Sequence, residues 1–305
     1  MPLTVATLNV KNLLAPRDER ERAVLPKKLD WIARTLQACH ADVIGLQEVG
    51  PPELVRAVAE RMGEHGWAEP MLGTADARGI RCALLSRVPL LEWRVHTAAF
   101  LEFPGFVRGD PPPFAHRIPL RRGIVRARLD APGLGIVDVL VAHFKSARPV
   151  LLKDASGADL EPASARERAE GVLRSVVWRA AEALYVRGLV DEVLRARAGA
   201  HVLVVGDLND VPGSPALRAL QGDGPDALLD CTARVDAAAR HSLLHEGRPV
   251  QLDHALASAG LHARLGAARF LNEALRDHAA AVSPSGVEEA PSADSDHAAL
   301  VVSFG

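Results

Sequence analysis

A run of four aliphatic residues, Val202–Val205, stops at Gly206 and gives way to Asp207-Leu208-Asn209-Asp210. A short apolar run cut off by glycine and turn-favouring polar residues reads as a buried strand whose end opens onto solvent. On extended backbone Asp207 and Asn209, two residues apart, point to the same side. A carboxylate that accepts and an amide that donates and accepts can together hold a water molecule beside a phosphate or a metal. Asp and Asn also favour turns, so the stretch by itself equally permits a plain strand end.

The pattern recurs along the chain. Residues 3–10 form a strand ending at Asn9, and Asp42–Glu48 is a second buried strand ending in a carboxylate. Gly79–Ser86 and Leu90–Thr97 follow, with Pro89 marking a bend at a sheet edge. Gly123–Leu129 and Ile136–Phe144 make a hairpin around Asp130-Ala131-Pro132-Gly133. Leu252–Ser258 and Ala298–Phe304 complete the strands. Between them, Pro26 opens a helix with Leu29, Ile32, Ala33 and Leu36 at helical spacing, after a charged loop over Ala15–Ala23. Pro51 and Pro52 start another, with Leu54, Val55, Val58, Ala59 and Met62 on one face and Gly63 as its stop. The capping box Ser164-Ala165-Arg166-Glu167 opens the longest helix, which runs to about Arg197. Its apolar stripe is Val172, Leu173, Val176, Val177, Ala180, Leu184, Val190, Val193 and Leu194. Ser214 and Pro215 start a short helix.

Strands and helices interspersed over 305 residues, with hairpins, crossovers and no interior linker, predict an α/β fold of two packed sheets with helices outside. The whole chain, residues 1–305, is expected to be one domain. Ser283–Ser295 is rich in Ser, Pro, Glu and Ala and is expected to be a mobile loop. No apolar run approaches the ~18 residues of a membrane span, and the N-terminus lacks the pattern of a signal peptide. A cytoplasmic protein is therefore expected, with no obligate protein partner evident. Cys39, Cys82 and Cys231 are widely spaced with no CxxC pattern, which argues against a disulfide framework or a zinc site. A net charge of −2 excludes a strongly basic, histone-like protein. It leaves room for a local basic face, and Arg108–Arg148 holds eight Lys/Arg against three Asp/Glu.

Asn9, Glu48, His143, Asp207, Asn209, Asp253, Asp296 and His297 all sit at or near strand ends. Polar groups at the mouth of a rigid scaffold are a common way to assemble an active site. Glu48 and Asp296 are hard oxygen ligands suited to magnesium or manganese. Asp207 can take a proton from water, and the two histidines can bind or protonate a phosphate. No Gly-x-Ser-x-Gly elbow and no Gly-x-x-x-x-Gly-Lys-[Ser/Thr] loop is present, which disfavours acyl-enzyme chemistry and nucleotide-driven transfer.

Leu8-Asn9-Val10, Gly45-Leu46-Gln47-Glu48, Leu85-Ser86-Arg87, Ala142-His143-Phe144-Lys145-Ser146, Gly206-Asp207-Leu208-Asn209, Leu252-Asp253-His254 and Ser295-Asp296-His297 stand in one order from end to end. In that order the chain resembles the endonuclease/exonuclease/phosphatase superfamily, with its pancreatic-DNase-like fold. The resemblance implies a four-layer αββα sandwich of two packed mixed sheets with the site at one mouth. It implies Glu48 and Asp296 as ligands of Mg²⁺ or Mn²⁺, with Asn9 close by. Asp207 would orient or deprotonate the attacking water, and Asn209 would hold it or the phosphate. His297 would contact the scissile phosphoryl oxygen, with Asp253 fixing its tautomer. His143 would be the second phosphate-facing histidine.

Two departures separate the chain from the abasic-site enzymes of that superfamily. Lys11 stands where those enzymes carry an acid, and the sole tyrosine, Tyr185, lies in the long helix. Arg122 can take the place of a phosphate-binding tyrosine, and Lys145 and Lys11 are further candidate phosphate contacts. His254, next to Asp253, should face the other side of its strand and be structural. In the loop at 100–122, Phe100, Phe103, Phe106 and Phe114 lie among Arg108, Arg117, Arg121 and Arg122. Such a loop either stacks bases and pairs phosphates or plugs the sandwich with phenylalanines. The expected activity is metal-dependent phosphodiester hydrolysis of nucleic acid. The alternatives are hydrolysis of a small or lipid-like phosphoester, and a catalytically silent binding module.

Overall fold

The computed structural model describes residues 2–63, 66–278 and 292–305. Its first half runs β1 (Leu3–Leu13), α1 (Glu19–Cys39), β2 (Val43–Val49), α2 (Pro52–Arg61), β3 (Met71–Leu72), β4 (Arg81–Ser86), β5 (Leu90–His96), β6 (Ile124–Ala131) and β7 (Gly135–His143). The second half runs α3 (Ala165–Ala196), β8 (His201–Asp207), α4 (Pro215–Gln221), β9 (Leu228–Asp230), β10 (Leu243–His245), β11 (Arg248–Val250), β12 (Asp253–Ser258), α5 (Ala259–His262), β13 (Leu265–Leu271) and β14 (Ala299–Phe304). The strands form two six-stranded mixed sheets, ordered β13-β14-β1-β2-β4-β3 and β5-β6-β7-β8-β12-β9. Within them β1 runs parallel to β2 and β7 parallel to β8, and the remaining pairs are antiparallel. β10 and β11 make a separate two-stranded ribbon.

Alternation along the strands builds the layers. Val5, Val43 and Leu84 from the first sheet meet Val125, Val139, Leu203 and Ala255 from the second in one buried core between the sheets. The opposite faces carry Leu8, Ile44 and Leu46 against α1 and α2, and Leu140, Val202 and Val204 against α3 and α4. The result is the expected αββα sandwich. Residues sharing the parity of the inner core continue to the strand ends, and there Asn9, His143, Asp207 and Asp253 extend the inner face into the mouth.

Three expectations need correction. Ala15–Ala23 is not all loop: Asp18 accepts a hydrogen bond from the Glu21 amide at 2.8 Å and starts α1 at Glu19. Pro26 therefore lies inside α1, where it removes one backbone donor without ending the helix. On α3 the supposed apolar stripe is partly outside, for Val172, Leu173 and Leu184 are exposed. Its first half buries Ser175, Arg179 and Glu182 at helical spacing against loop groups, beside Trp178 and Ala181, which pack with Leu101 and Ile118. Most of the expected loop Ser283–Ser295 lies outside the described residues.

Candidate active site

Strand register brings the catalytic candidates together. His143 at the end of β7 is the pairing partner of Asp207 at the end of β8. Asp207 in turn pairs with Asp253 at the start of β12. The row depends on Gly206, where a Cβ would lie 1.9 Å from the Ala142 carbonyl oxygen. Its φ of 140° is also one that side chains rarely adopt.

The opposing sheet brings Asn9 and Glu48. Leu46 and Val49, three residues apart, both face the helices, so Glu48 breaks the alternation of β2. Its φ of 61° and the register shift between Leu46 and Val49 absorb the extra residue and turn its carboxylate to the mouth. Lys11 and Asn12, with φ of 48° and 54°, make the matching irregularity in β1. The Asn12 amide donates to Glu48 Oε2 at 3.0 Å. Asn9 Nδ2 donates to Asp207 Oδ2 at 2.9 Å and lies 3.4 Å from Glu48 Oε1.

Asp207 is enclosed by donors. Asn209 gives its backbone N–H to Oδ1 at 2.9 Å and its Nδ2 to Oδ2 at 3.1 Å. Asn209 does so from a left-handed turn, φ 53°, and not from the extended backbone the sequence implied. His143 Nε2 lies 3.5 Å and His297 Nε2 4.0 Å from Asp207 Oδ2. Burial raises the Asp207 carboxyl, against the pull of His297 and the Asn9 and Asn209 donors. His297 Nδ1 is 2.7 Å from Asp253 Oδ2. Burial opposes its charge, but Asp253 and Asp207 outweigh burial and raise its pKa to about 10. His143 goes the other way, lowered by burial first and then by Arg122 and His297. Arg122 Nη1 sits 2.9 Å from its Nδ1 and 3.1 Å from its Nε2, so the guanidinium lies against the ring and approaches both nitrogens. The two histidines are thus shifted in opposite directions, His297 up and His143 down.

The expected phosphate contacts line the same cleft of about 1040 Å³, but each is already engaged. Arg122 is buried and also donates to the Phe144 carbonyl at 2.9 Å. Lys145 Nζ donates to the carbonyls of Ser146 and Arg148, both at 2.8 Å. Lys11 Nζ lies 3.4 Å from Asp296 Oδ2 and 2.7 Å from His278 Nδ1. His254 is structural as expected, its Nε2 lying 2.9 Å from the Asp210 carbonyl oxygen. The phenylalanines of 100–122 stay off the cleft lining. Phe103 and Phe114 pack edge to face at 5.2 Å, whereas Phe106 is 92% exposed.

Among the described residues, one group of three offers metal-ligand atoms within 4.8 Å of one another: Asp207, Asp253 and His297. The expected ligands Glu48 and Asp296 lie outside it. Asp207 and His297 Nδ1 are engaged with Asn9, Asn209 and Asp253, whereas the buried Asp253 Oδ1 has no partner among the described residues. Glu48 and Asp296 keep side-chain exposures of 20% and 26% at the cleft. Both carboxylates also have partners, Glu48 the Asn12 N–H at 3.0 Å and Asp296 the Lys11 ammonium at 3.4 Å, and the hard carboxylates of either group suit a magnesium-like ion.

Sequence reading missed a second tier of residues on α3. Glu182 accepts the Lys145 amide at 2.6 Å. Ser175 Oγ donates to the Ser146 carbonyl at 2.7 Å. Arg179 donates to that carbonyl at 3.2 Å and to Asp210 Oδ2 at 3.2 Å, clamping the His143 loop to the Asp207 loop. The signal was present in the 175, 179, 182 spacing, which places three polar groups on one helical face.

The sequence pattern of the Endonuclease/Exonuclease/phosphatase family matches residues 6–297. No curated protein matches the chain. Among solved structures, truncated TDP2 from Caenorhabditis elegans is similar, with 16% identity over 99% of this chain and 97% of that one, at a TM-score of 0.61. TDP2 from D. rerio complexed with single-strand DNA product has 14% identity over 100% and 99% of the two chains, at a TM-score of 0.58. The 3′ phosphatase NExo from Neisseria, bound to a product DNA hairpin, has 18% identity over 99% of each chain, also at 0.58. These likenesses show a common fold. With the family's pattern running through nearly all of its length, the chain belongs to the endonuclease/exonuclease/phosphatase family.

Proposed function

We propose that the protein is a divalent-metal-dependent phosphodiesterase that hydrolyses nucleic acid. The observation that carries this reading is the enclosure of Asp207: a buried carboxylate fixed by Asn9 and Asn209 and flanked by His143 at 3.5 Å and His297 at 4.0 Å. Enzymes of this family act on phosphoesters. Held by two amides, Asp207 is positioned to take the proton of an attacking water, and its raised pKa brings its basicity nearer to neutrality. Charged His297, oriented by Asp253, donates from Nε2 to a phosphoryl oxygen. His143 provides a neutral donor or acceptor beside it. Glu48 and Asp296, with Asn9 alongside, would hold Mg²⁺ or Mn²⁺, which when bound supplies Lewis-acid stabilisation of developing negative charge.

Nucleic acid is favoured over a small ester by the cleft, whose wall carries Arg78, Arg121, Arg148 and Lys153 beyond the catalytic residues. Two of the similar structures hold DNA products. The inward-turned Arg122 and Lys145 support the second reading, a small phosphoester, because they leave fewer cations free for a polymer. Hydrolysis of single- and double-stranded DNA, RNA and a phosphomonoester with Mg²⁺ or Mn²⁺ separates the two. Polymer cleavage is expected, and activity confined to the monoester would reject the nuclease reading. No helix among the described residues is long and apolar enough to cross a membrane.

A further inference from the structure

Among the described residues of the cleft wall, Arg121 is an exposed cation stacked on an aromatic ring and paired with no carboxylate. Its guanidinium lies 4.1 Å from the centre of the Trp178 ring. Trp178 is itself fixed, because its Nε1 donates to the Pro119 carbonyl at 3.2 Å and its ring is buried with Leu101, Ile118 and Ala181. The chain leading to Arg121 is pinned as well. Leu101 N–H donates to the Ile118 carbonyl at 2.6 Å, and Leu120 N–H to that of Ala98 at 3.2 Å. Stacking holds the plane of the guanidinium but uses none of its N–H donors. No carboxylate or carbonyl takes those donors among the described residues.

The other wall cations differ. Arg78 is paired with Asp76 at 3.3 Å and Lys153 with Asp159 at 2.8 Å. Arg148 has no such pairing but lacks a platform and sits on an exposed turn. Arg121 also lies near the cations Arg122, Arg78 and Lys145, with Glu182 and Asp76 as the facing carboxylates.

We propose that Arg121, stacked on Trp178, is the binding site for a second phosphate, a non-scissile one neighbouring that held at His143 and His297. It would select chains bearing consecutive phosphodiesters over esters with one phosphate. This rests on the reading of the site as a phosphodiesterase and names a specificity-determining residue for it. A mounted guanidinium would bind such a phosphate with two parallel N–H···O bonds at little cost in side-chain freedom.

The test compares kcat/KM for a single-stranded oligonucleotide and for bis(p-nitrophenyl) phosphate, in the unaltered protein, Arg121→Gln and Arg121→Lys. The ratio of the two values should fall about tenfold in Arg121→Gln, the change lying in KM for the oligonucleotide. The slope of log KM against log salt should lessen by roughly one phosphate contact. Arg121→Lys, which keeps the charge without the planar stack, should fall between. An unchanged ratio and salt slope in Arg121→Gln, with hydrolysis of both substrates intact, would overturn the inference and leave the phosphodiesterase reading standing. No hydrolysis of either substrate by the unaltered protein would overturn both.

Discussion

Asn9 Nδ2, on the first sheet, donates to Asp207 Oδ2, on the second, at 2.9 Å. The bond crosses the gap between the sheets at the mouth, where the apolar core gives out. It couples a strand from the start of the chain to the proposed proton acceptor, so the proposed chemistry would depend on how the two sheets are docked.

Replacing Asn9 should therefore affect more than one residue. Asn9→Leu would leave a buried carboxylate short of a donor, costing about 1–3 kcal/mol of stability. Activity should fall by at least ~100-fold, a barrier of the size that losing one preorganised donor imposes. Urea unfolding and steady-state kinetics on one preparation check both effects. Activity within twofold of the unaltered protein would remove Asn9 from the site.

Gly206 offers a purely geometric prediction. An Ala Cβ would meet the Ala142 carbonyl oxygen at 1.9 Å, so β7 and β8 must separate. Gly206→Ala is expected to destabilise by roughly 3 kcal/mol or more, since the φ is also unfavourable. Denaturant unfolding would show the midpoint fall, and an unchanged midpoint would mean that the close approach of the strands is not required.

The buried Glu182 predicts a pH dependence of stability. Burial raises its pKa to about 7 from an ordinary value near 4.5. Between those values the folded protein keeps a proton that the unfolded chain has lost, so stability falls as pH rises through that window. Lys145, lowered to about 8 by burial and then by Arg121 and Arg179, acts separately at higher pH. There the unfolded chain binds more protons, so its contribution to stability rises with pH from about 8 towards 10.5. Glu182→Gln keeps an acceptor for the Lys145 amide but does not titrate. It should flatten the decline between about pH 4.5 and 7, read as melting temperature against pH, while an unchanged profile would assign the decline to another group.

The Asp253–His297 pair has its own signature. With Asp253 in place, the imidazole should stay protonated through neutral pH. In Asp253→Asn it loses its strongest charge partner, and its pKa should fall. Titration of the His297 ring protons by NMR reads the shift directly, and equal titration curves would show that Asp253 does not set the charge of His297.

How much of this was legible in the sequence follows from local geometry. Asn9, His143, Asp207 and Asp253 continue the alternation of apolar strands, so their common orientation could be read from parity alone. Glu48 could not be placed that way, because a left-handed residue within the strand reverses its direction. Arg179 and Glu182 were obscured by exposed valines and leucines that imitated a buried stripe on α3. The ribbon of β10 and β11 and the strand β13 escaped notice because three-residue strands and the Gly-Ala-Ala-Arg stretch lack a clear period. The orientation of Arg122 and Lys145 towards protein groups is a tertiary fact with no local sequence signal.

The most direct measurement of the central claim is hydrolysis of single-stranded DNA by purified protein in Mn²⁺ or Mg²⁺, with Glu48→Gln, Asp207→Asn and His297→Ala alongside and a chelator control. Cleavage by the unaltered protein that disappears with chelator and drops by at least ~100-fold in each folded variant is the predicted result. Cleavage that persists in Asp207→Asn, or that is indifferent to chelator, would contradict the account.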